Sequence, residues 1–251
     1  MRIATWNLNT WQARKQGITN ADSWVWAEEN LNADLLILTE ASIPPSMQSS
    51  EEWDCVFRPG GIPFRSGWGT VIAGKNLELR HVTHIESEEE FVIDQKYPGS
   101  LTAADAFLKG AYFATVIGIY LPFRKDSNKK FIGSPAEDLE ELRDDALRIY
   151  RSRCENLIVA GDFNHEYRRV PSSLKRMTKR KHALINPCIS DKLVTFRQEW
   201  SPHREFLLDY IFLSRNLGKK VVSFEGGLEA FPGALDFSDH APLTIDYDFK
   251  L

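Results

Sequence analysis

The stretch N-L-I-V-A-G-D-F-N (Asn156–Asn164) decides the fold of this chain. It opens on a short, continuous apolar run, which predicts a buried β-strand over Asn156–Ala160. An acid and an amide, Asp162 and Asn164, follow at once, where this strand ends. In α/β proteins the ends of buried strands are where sites are assembled. The stretch therefore predicts an α/β sheet with a polar site at one of its edges.

Strands and helices alternate along the rest of the chain. The run D-L-L-I-L-T predicts a second buried strand over Asp34–Thr39, and Glu40 follows it. Helices are predicted over Ser23–Leu31, capped by Asp22 or Ser23, and from Ser134 to about Arg153. Further strands are predicted over Arg2–Leu8, Trp53–Phe57, Gly69–Ala73, Glu78–Ile85, Ala111–Leu121, Leu207–Leu213 and Leu243–Phe249. Since helices join only some of the strands, we expect an α/β fold with two mixed sheets and helices outside them.

The composition is typical of a globular protein, with 251 residues of which 43% are hydrophobic and 26% charged. No apolar run approaches the roughly 18 residues of a membrane span, and the N-terminus lacks the apolar core of a signal peptide. Three widely spaced cysteines, Cys55, Cys154 and Cys188, suit a reducing compartment better than a disulfide framework or a zinc site. We therefore expect one domain over residues 1–251, in the cytoplasm, with no membrane partner and no obligate protein partner.

Polar side chains stand at the ends of most of the predicted buried strands, and three of them are the carboxylates Glu40, Asp162 and Asp239. Each alone is explained most simply as a turn former. If they converge, they repel one another and are costly to bury, and a hard divalent cation relieves this cost. Oxygen ligands without a cysteine or histidine cluster favour Mg²⁺ or Mn²⁺ over zinc.

A histidine and an isolated acid form a second group of interest. His240 follows Asp239, and Asp209 lies inside the apolar run F-L-L-D-Y-I-F-L. A lone histidine is usually a structural residue, but a histidine backed by an acid can be held in one tautomer and kept cationic. The pair would add a proton donor to the predicted carboxylate site.

Six short motifs occur in a fixed order along the chain. They are W-N (Trp6-Asn7), T-E (Thr39-Glu40), Y-L-P (Tyr120–Pro122), G-D-F-N (Gly161–Asn164), L-D-Y (Leu208–Tyr210) and S-D-H-A-P (Ser238–Pro242). In this order they resemble the endonuclease/exonuclease/phosphatase superfamily, and within it the exonuclease III and abasic-site endonuclease branch. The resemblance covers almost the whole chain, from Arg2 to about Phe249. It implies a four-layer sandwich, in which two packed mixed β-sheets are flanked by helices on both outer faces.

The resemblance also implies which residues surround the metal and the leaving group. Glu40 would bind the metal, and Asp239 would lie near it, directly or through water. Asn9 matches a further position on the metal side. Tyr120 would contact the phosphate or assist the leaving oxygen.

The remaining matched residues would carry out the attack on the phosphate. Asp162 would orient or deprotonate the attacking water. Asn7 and Asn164 would donate hydrogen bonds that hold Asp162 and a phosphate oxygen. His240 would donate to the scissile phosphate and would be oriented by Asp209. Hydrolysis of a phosphoester needs these functions, because water must attack in line while the charge on the phosphoryl oxygens is neutralised.

A basic segment follows the G-D-F-N motif. Residues 168–182 contain seven lysines and arginines and no acid, in a chain of net charge −4. A solvated helix face is the ordinary explanation of such a run, and contact with a polyanion is the alternative. Helical spacing places Lys175 beside Lys179 and Arg176 beside Arg180. These four side chains would contact the backbone phosphates of a nucleic-acid substrate.

The leading hypothesis is a phosphodiesterase that depends on Mg²⁺ or Mn²⁺ and cleaves nucleic acid, DNA rather than RNA. It would act as an endonuclease or exonuclease, and DNA repair is a process that this activity would serve. A small-molecule or lipid phosphoesterase of the same fold, acting on a phosphoinositide or on sphingomyelin, is the alternative, and the low isoelectric point keeps it open. A relative that only binds is a third hypothesis, although it would be expected to have lost one of the acids or His240.

Overall fold

The structure is a computed structural model, and it describes residues 1–9, 17–59, 67–85, 91–92, 99–121, 124–125, 131–133, 156–164, 184–185, 208–227 and 230–248. The helix predicted from Ser134 to about Arg153, the basic segment of residues 168–182, Cys154 and Cys188 lie outside these ranges. None of the helices in the described ranges has the length and apolar character needed to cross a membrane. In chain order the described elements are β1 Arg2–Asn7, α1 Asn20–Leu31, β2 Leu35–Ala41, α2 Pro45–Gln48, β3 Trp53–Pro59, β4 Gly69–Lys75, β5 Glu78–His81, β6 His84–Ile85, β7 Phe91–Val92, β8 Leu101–Leu108, β9 Ala111–Tyr120, β10 Arg124–Lys125, β11 Phe131–Gly133, β12 Leu157–Asp162, β13 Leu184–Ile185, β14 Asp209–Ser214, α3 Arg215–Gly218, β15 Val221–Gly226, α4 Ala234–Phe237 and β16 Leu243–Tyr247.

Two six-stranded sheets carry the fold, and their strands pair in the same pattern. The first has the order β15-β16-β1-β2-β4-β3, and the second has the order β13-β14-β12-β9-β8-β5. In each sheet one central pair is parallel, β1 with β2 in the first and β12 with β9 in the second. The other neighbours in both sheets are antiparallel. The predicted α/β fold with two mixed sheets is therefore confirmed, and β1, β2 and β16 of one sheet are equivalent to β12, β9 and β14 of the other.

Side chains that alternate along the strands build one apolar layer between the sheets and another outside the first sheet. In β1, Ile3 packs between the sheets while Trp6 lies on the outer face. In β2, Leu35 and Ile37 pack inward while Leu38 packs outward. Successive residues of a strand point to opposite faces, so a strand buried on both faces must be apolar throughout, as the predicted continuous runs are.

A glycine sets how closely the two sheets approach. A Cβ on Gly118 of β9 would lie 2.5 Å from Thr70 Cγ2 and 3.0 Å from Ile37 Cγ2 in the facing sheet. Any larger residue at this position would push the sheets apart near the end of β9. The close approach allows side chains at the ends of strands in different sheets to contact one another.

Helix α1 covers the outer face of the first sheet and begins three residues earlier than predicted. Its N-cap is Thr19 rather than Asp22 or Ser23. Thr19 Oγ1 accepts a hydrogen bond from Asp22 N (3.2 Å), and Asp22 Oδ2 accepts one from Thr19 N (2.7 Å). This is a capping box, which satisfies backbone N–H groups of the first turn reciprocally. Asp22 is therefore the third helical residue of the box and not the cap.

The strand bounds differ from the prediction where pairing partners decide them. β12 continues through Asp162, because its ladder with β9 continues to that residue. The strand predicted over Glu78–Ile85 is divided into β5 and β6, which pair in different sheets. The sequence pattern does not predict β8, L-T-A-A-D-A-F-L, because alanine and aspartate weaken the strand signal. It also does not predict β15, an edge strand whose residues are exposed or half-buried.

Candidate active site

Nine of the predicted site residues lie within the described ranges, and the structure brings all of them to one edge of the two sheets. The ends of the parallel strands in each sheet share this edge, and the antiparallel strands β14 and β16 begin there. A continuous set of side-chain contacts joins the nine residues, as the distances below show. The predicted phosphate-binding residues Lys175, Arg176, Lys179 and Arg180 lie outside the described ranges. The nine are Asn7, Asn9, Glu40, Tyr120, Asp162, Asn164, Asp209, Asp239 and His240.

Hydrogen bonds across the sheet interface join residues at equivalent positions of the two sheets. Asn7 ends β1, Asp162 ends the equivalent strand β12, and Asn7 Nδ2 donates to Asp162 Oδ2 over 2.8 Å. Glu40 lies near the end of β2, Tyr120 ends the equivalent strand β9, and the Tyr120 hydroxyl donates to Glu40 Oε1 over 2.7 Å. Each sheet supplies one partner of each bond, so the arrangement depends on the packing of the sheets.

A β-bulge turns Glu40 toward the second sheet. Strict alternation after Leu36 and Leu38, which pack outward, would place Glu40 on the outer face as well. The register of β2 against β4 shifts between Leu38 and Ala41, and Glu40 has a left-handed φ of 47°. Bulges of this kind re-aim a side chain next to active sites. The carboxylate of Glu40 consequently faces the layer between the sheets.

Helix α1 holds the backbone that follows Glu40. Asn20 Nδ2 donates to the Ser42 carbonyl (2.7 Å), and Ser42 N donates to Asn20 Oδ1 (3.2 Å). The indole of Trp24 donates to the same carbonyl over 2.9 Å. A left-handed conformation in a residue other than glycine is unfavourable and persists when its surroundings fix it, and these three bonds supply part of that support.

Asp162 is buried and its carboxylate is fixed by hydrogen bonds to both oxygens. Oδ1 accepts from Asn164 N (2.8 Å), and Oδ2 accepts from Asn164 Nδ2 (3.0 Å) in addition to Asn7. Gly161 has a φ of 137°, and a Cβ there would lie 1.9 Å from the carbonyl oxygen of Ile119. Glycine before Asp162 is thus required by a close backbone approach at the end of β12.

The side-chain amides of Asn7 and Asn164 donate their hydrogen bonds to other groups of the protein. Asn164 Nδ2 donates to the Leu121 carbonyl (2.6 Å) as well as to Asp162. Asn7 Nδ2 donates to Asp162 and, at 3.4 Å, to Glu40 Oε1. An amide nitrogen carries two hydrogens, so a phosphate contact from either residue requires exchange of one of these bonds. The geometry agrees with the predicted hold on Asp162.

His240 is buried, and its two ring nitrogens face different acids. Nδ1 lies 2.7 Å from Asp209 Oδ2. Nε2 lies 4.0 Å from Asp162 Oδ2 and 3.8 Å from Asp239 Oδ1, beyond hydrogen-bond distance from each. The acid on Nδ1 fixes the orientation of the ring. The Nε2–H group is thereby directed to the space between two carboxylates.

The loop before β16 places Asp239 beside Asn9. Asn9 Nδ2 donates to Asp239 Oδ1, and Asn9 N donates to Asn7 Oδ1 over 2.8 Å. Asn9 has a φ of 37°, which asparagine tolerates better than most residues. The side chains of Asn9 and Asp239 therefore lie at the rim of the cluster of acids that includes Glu40.

Burial and mutual repulsion raise the pKa values of two acids. Burial, and then the charge of Asp209, raises the pKa of Asp162 to about 8. Burial also raises the pKa of Glu40, although the hydrogen bond from Tyr120 and the charge of His240 oppose this shift. Low-dielectric surroundings and nearby like charges both disfavour the ionised form of a carboxyl group and so raise its pKa. The acids of the site thus carry more negative charge than the imidazolium of His240 offsets.

The same environment affects the two proton donors. Burial lowers the pKa of His240, but the carboxylates of Asp209, Asp162 and Asp239 outweigh burial and hold it well above its usual range. Burial and the charge of Glu40 raise the pKa of the Tyr120 phenol well above its usual range. The imidazole is therefore cationic near neutral pH, and the phenol remains protonated.

The residues present fit a divalent cation. Among the described residues the site combines four carboxylates with one imidazole, and oxygen donors of this kind suit hard cations. Asp162, Asp209 and His240 offer ligand atoms within 4.8 Å of one another, so this buried group could hold a metal ion. Asp209 Oδ1 is buried and finds no hydrogen-bond partner within the described ranges. Raised pKa values and an unpartnered buried oxygen are both relieved by added positive charge.

Sequence reasoning gave no role to two residues that hold His240. Ser238 Oγ donates to the Asn7 carbonyl (2.6 Å) and accepts from His240 N (3.1 Å). The Trp6 indole donates to the His240 carbonyl over 2.7 Å. Serine two residues before a functional residue is a signal for a local side-chain turn and could have indicated Ser238. The Trp6 contact joins residues far apart in sequence and has no such local signal.

The site combines carboxylates that could hold a cation with the cationic imidazole of His240. This combination suits hydrolysis of a phosphoester, which requires neutralisation of the phosphoryl charge and activation of a water molecule. The fold and the site thus define a class, the phosphoester hydrolases built on an α/β sandwich. The model of the Endonuclease/Exonuclease/phosphatase family matches residues 121–240. Together with the fold, this match confirms the resemblance to the endonuclease/exonuclease/phosphatase superfamily that the six motifs predict. No curated protein matches the chain by sequence.

Solved structures share the fold over nearly the whole chain. The AP endonuclease LMAP from Leishmania major has a TM-score of 0.70 at 16% identity, covering 99% of this chain and 88% of that one. An AP endonuclease from Archaeoglobus fulgidus has a TM-score of 0.64 at 18% identity, covering 99% and 100%. The 3′ phosphatase NExo from Neisseria, bound to product DNA hairpin, has a TM-score of 0.57 at 17% identity, covering 99% and 100%. At these identities the likeness establishes the fold, and the predicted sandwich is confirmed.

Proposed function

We propose that the chain is a Mg²⁺- or Mn²⁺-dependent phosphodiesterase that hydrolyses nucleic acid, with DNA as its substrate. The observation that carries this proposal is the position of His240 Nε2, 4.0 Å from Asp162 and 3.8 Å from Asp239, in a group of acids at the open edge of the sheets. A donor between two acids suits an anionic phosphodiester held next to a cation. The names of the three similar structures, two AP endonucleases and a 3′ phosphatase bound to product DNA hairpin, support the choice of substrate.

Glu40 and Asp239 would hold the cation, with Asn9 beside Asp239. The alternative group of Asp162, Asp209 and His240 suits it less well, because His240 Nδ1 is bonded to Asp209 and a cationic imidazole repels a metal ion. When bound at Glu40 and Asp239, a divalent cation would supply Lewis acidity and positive charge that offsets the charge on the phosphoryl oxygens. The ordinary affinity of oxygen donors for hard cations supports Mg²⁺ or Mn²⁺.

Asp162 would orient the attacking water and accept its proton. Its carboxylate is held by Asn7 and Asn164 and cannot rotate freely. A base must be ionised to accept a proton, and a cation bound nearby would favour the ionised form of Asp162, whose pKa burial otherwise raises. Water placed on the free side of this carboxylate would be aligned for attack on a phosphate next to His240.

His240 and Tyr120 would act on the phosphate itself. His240 Nε2–H would donate to a non-bridging oxygen, and Asp209 keeps the ring from turning. The Tyr120 hydroxyl, which donates to Glu40 in this structure, would exchange that bond for the phosphate or the leaving oxygen. Preorganised donors of this type stabilise charge that develops in the transition state.

A panel of substrates tests the proposal. Abasic duplex, blunt duplex, single-stranded DNA, RNA and an inositol polyphosphate are incubated with the protein in Mg²⁺ and in EDTA. We expect cleavage of at least one DNA substrate, lost in EDTA and in Asp162→Asn, and retained in the control Asp236→Asn, which changes an exposed acid. Hydrolysis of the inositol polyphosphate alone would replace the proposal with the small-molecule alternative. Absence of all hydrolysis would contradict it.

A further inference from the structure

The backbone of His240 is held from outside the site by the indole of Trp6. Trp6 Nε1 donates to the His240 carbonyl over 2.7 Å, and both groups are buried. Ser238 Oγ, at 3.1 Å from His240 N, is the other side chain in the described ranges that bonds this backbone. The two bonds fix the peptide units on both sides of the His240 Cα, and therefore the direction in which its side chain leaves the chain.

Trp6 is itself fixed by an aromatic stack. Its ring centroid lies 4.8 Å from that of Trp26 on helix α1, and Trp26 lies 5.8 Å from Phe237. Phe237 ends α4, immediately before the loop with Ser238 and His240. Ring pairs at these separations attract and fill space well. The stack thus connects β1, α1 and the loop that carries His240, and the indole N–H has little freedom to turn away.

The last two residues of β1 act on opposite sides of the sheet. Trp6 points outward to the His240 backbone, while Asn7 points inward to the carboxylates of Asp162 and Glu40. Because neighbouring residues of a strand are rigidly related, the end of β1 sets the position of the imidazole relative to the acids. A change at Trp6 would alter this relation without any contact with the acids.

We infer that Trp6 is a positioning residue for His240 in the reaction of the proposed phosphodiesterase, on which this inference rests. Its N–H keeps Nδ1 on Asp209 and Nε2 between Asp162 and Asp239. The competing explanation is that the bond only satisfies a buried donor, as buried indoles generally require. If Trp6 positions His240, loss of the indole N–H displaces the imidazole. If the bond only satisfies a buried donor, the imidazole stays in place.

The test removes the N–H and leaves an aromatic ring. Trp6→Phe is compared with the matched control Trp53→Phe, which removes an indole bond to Glu28 (3.1 Å) away from the site. We expect kcat of Trp6→Phe to fall by about 10-fold, since small misplacements of a reacting group are costly, with KM and the Mg²⁺ dependence unchanged. Trp53→Phe should keep kcat. Equal kcat in both variants, corrected for the folded fraction, would overturn the inference.

A spectroscopic readout separates this inference from the proposed function. The proton on His240 Nδ1, bonded to Asp209, should give a downfield ¹H resonance in the metal-free protein. We expect the resonance to broaden or disappear in Trp6→Phe and to persist in Trp53→Phe. An unchanged resonance in Trp6→Phe would overturn the inference. If the wild type hydrolyses no substrate of the panel, the proposed function fails while this comparison still decides the role of Trp6.

An isosteric replacement controls for the smaller volume of phenylalanine. Benzothienylalanine introduced at position 6 has the shape of the indole and carries sulfur in place of the N–H. A loss of kcat equal to that of Trp6→Phe supports positioning through the N–H. Full activity with the isostere would overturn it and assign the loss to packing.

Discussion

Asn7 and Asp162 end equivalent strands of the two sheets, and the amide of one donates to the carboxylate of the other over 2.8 Å. One sheet supplies the charge, and the other adds a hydrogen bond to the two that Asn164 donates from its backbone and side chain. An isolated buried carboxylate is costly unless it is hydrogen-bonded, and Asp162 takes its bonds from Asn164, two residues further along its own segment, and from Asn7 in the other sheet. The site is consequently a property of the packed pair of sheets, and the predictions below test how its members depend on one another.

Glu40→Gln should separate activity from stability. The change keeps the shape of the side chain and removes the charge proposed to hold the cation. Activity should fall by orders of magnitude and recover in part at high Mg²⁺. The melting temperature of the metal-free protein should not fall, because burial already disfavours the charged form of Glu40. Hydrolysis rates across a Mg²⁺ titration and thermal unfolding measure these effects.

Glu51→Gln is the control for this prediction, since Glu51 is exposed and lies on the loop before β3. It should leave both activity and the Mg²⁺ dependence unchanged. Normal hydrolysis by Glu40→Gln, together with normal hydrolysis by the wild type in EDTA, would show that the proposed metal dependence is wrong.

His240 and Asp209 should behave as one unit. If Asp209 acts by orienting the imidazole through the 2.7 Å contact, then removal of Asp209 has little further effect once the imidazole is absent. The loss of kcat/KM in the double variant His240→Ala/Asp209→Ala should therefore be close to that of His240→Ala alone. A double-mutant cycle measures the coupling, and full additivity of the two single losses would contradict the pairing.

Cation binding should release a proton from Asp162. With its pKa raised to about 8, the carboxyl group is mostly protonated in the cation-free protein at about pH 7, and a nearby cation favours the ionised form. Release should fade at about pH 9, where the group is already ionised, and the apparent affinity for Mg²⁺ should rise over the same range. Calorimetry in buffers of different ionisation enthalpy measures the protons released. Equal release at both pH values, or undiminished release by Asp162→Asn, would contradict this assignment.

The basic segment should govern the salt dependence of nucleic-acid binding. Each phosphate contact contributes ~0.7–0.9 to the slope of log affinity against log salt. Changing Lys175, Arg176, Lys179 and Arg180 to Gln should therefore flatten this slope and weaken binding to all sequences alike. Hydrolysis of a nitrophenyl phosphodiester should remain unchanged. Fluorescence anisotropy at several salt concentrations provides the slopes.

A second lysine variant controls for the loss of positive charge in general. Lys109 and Lys219 follow β8 and α3, away from the strand ends that carry the site, and both are exposed. Changing these two to Gln should leave the slope unaltered. An unaltered slope in the quadruple variant would assign the basic segment to a solvated helix face.

The sequence by itself predicted most of the long strands and the polar residues at their ends. Continuous apolar runs such as Leu157–Ala160 are required of strands buried on both faces, and polar residues directly after them are out of place in a core. This local contrast is sufficient to select Asp162, Glu40 and Tyr120 without knowledge of any contact. It is insufficient for β8, where alanine and Asp105 obscure the strand pattern.

Only the tertiary structure decided which way these side chains face and which partners they have. Alternation along β2 would send Glu40 to the outer face, and a bulge against β4 reverses this. The bonds of Asn7 to Asp162 and of Trp6 to His240 join residues 155 and 234 positions apart. Such contacts depend on the registers of neighbouring strands and on the close approach of two sheets. A local pattern carries no information about either, because both are set by packing between segments distant in the chain.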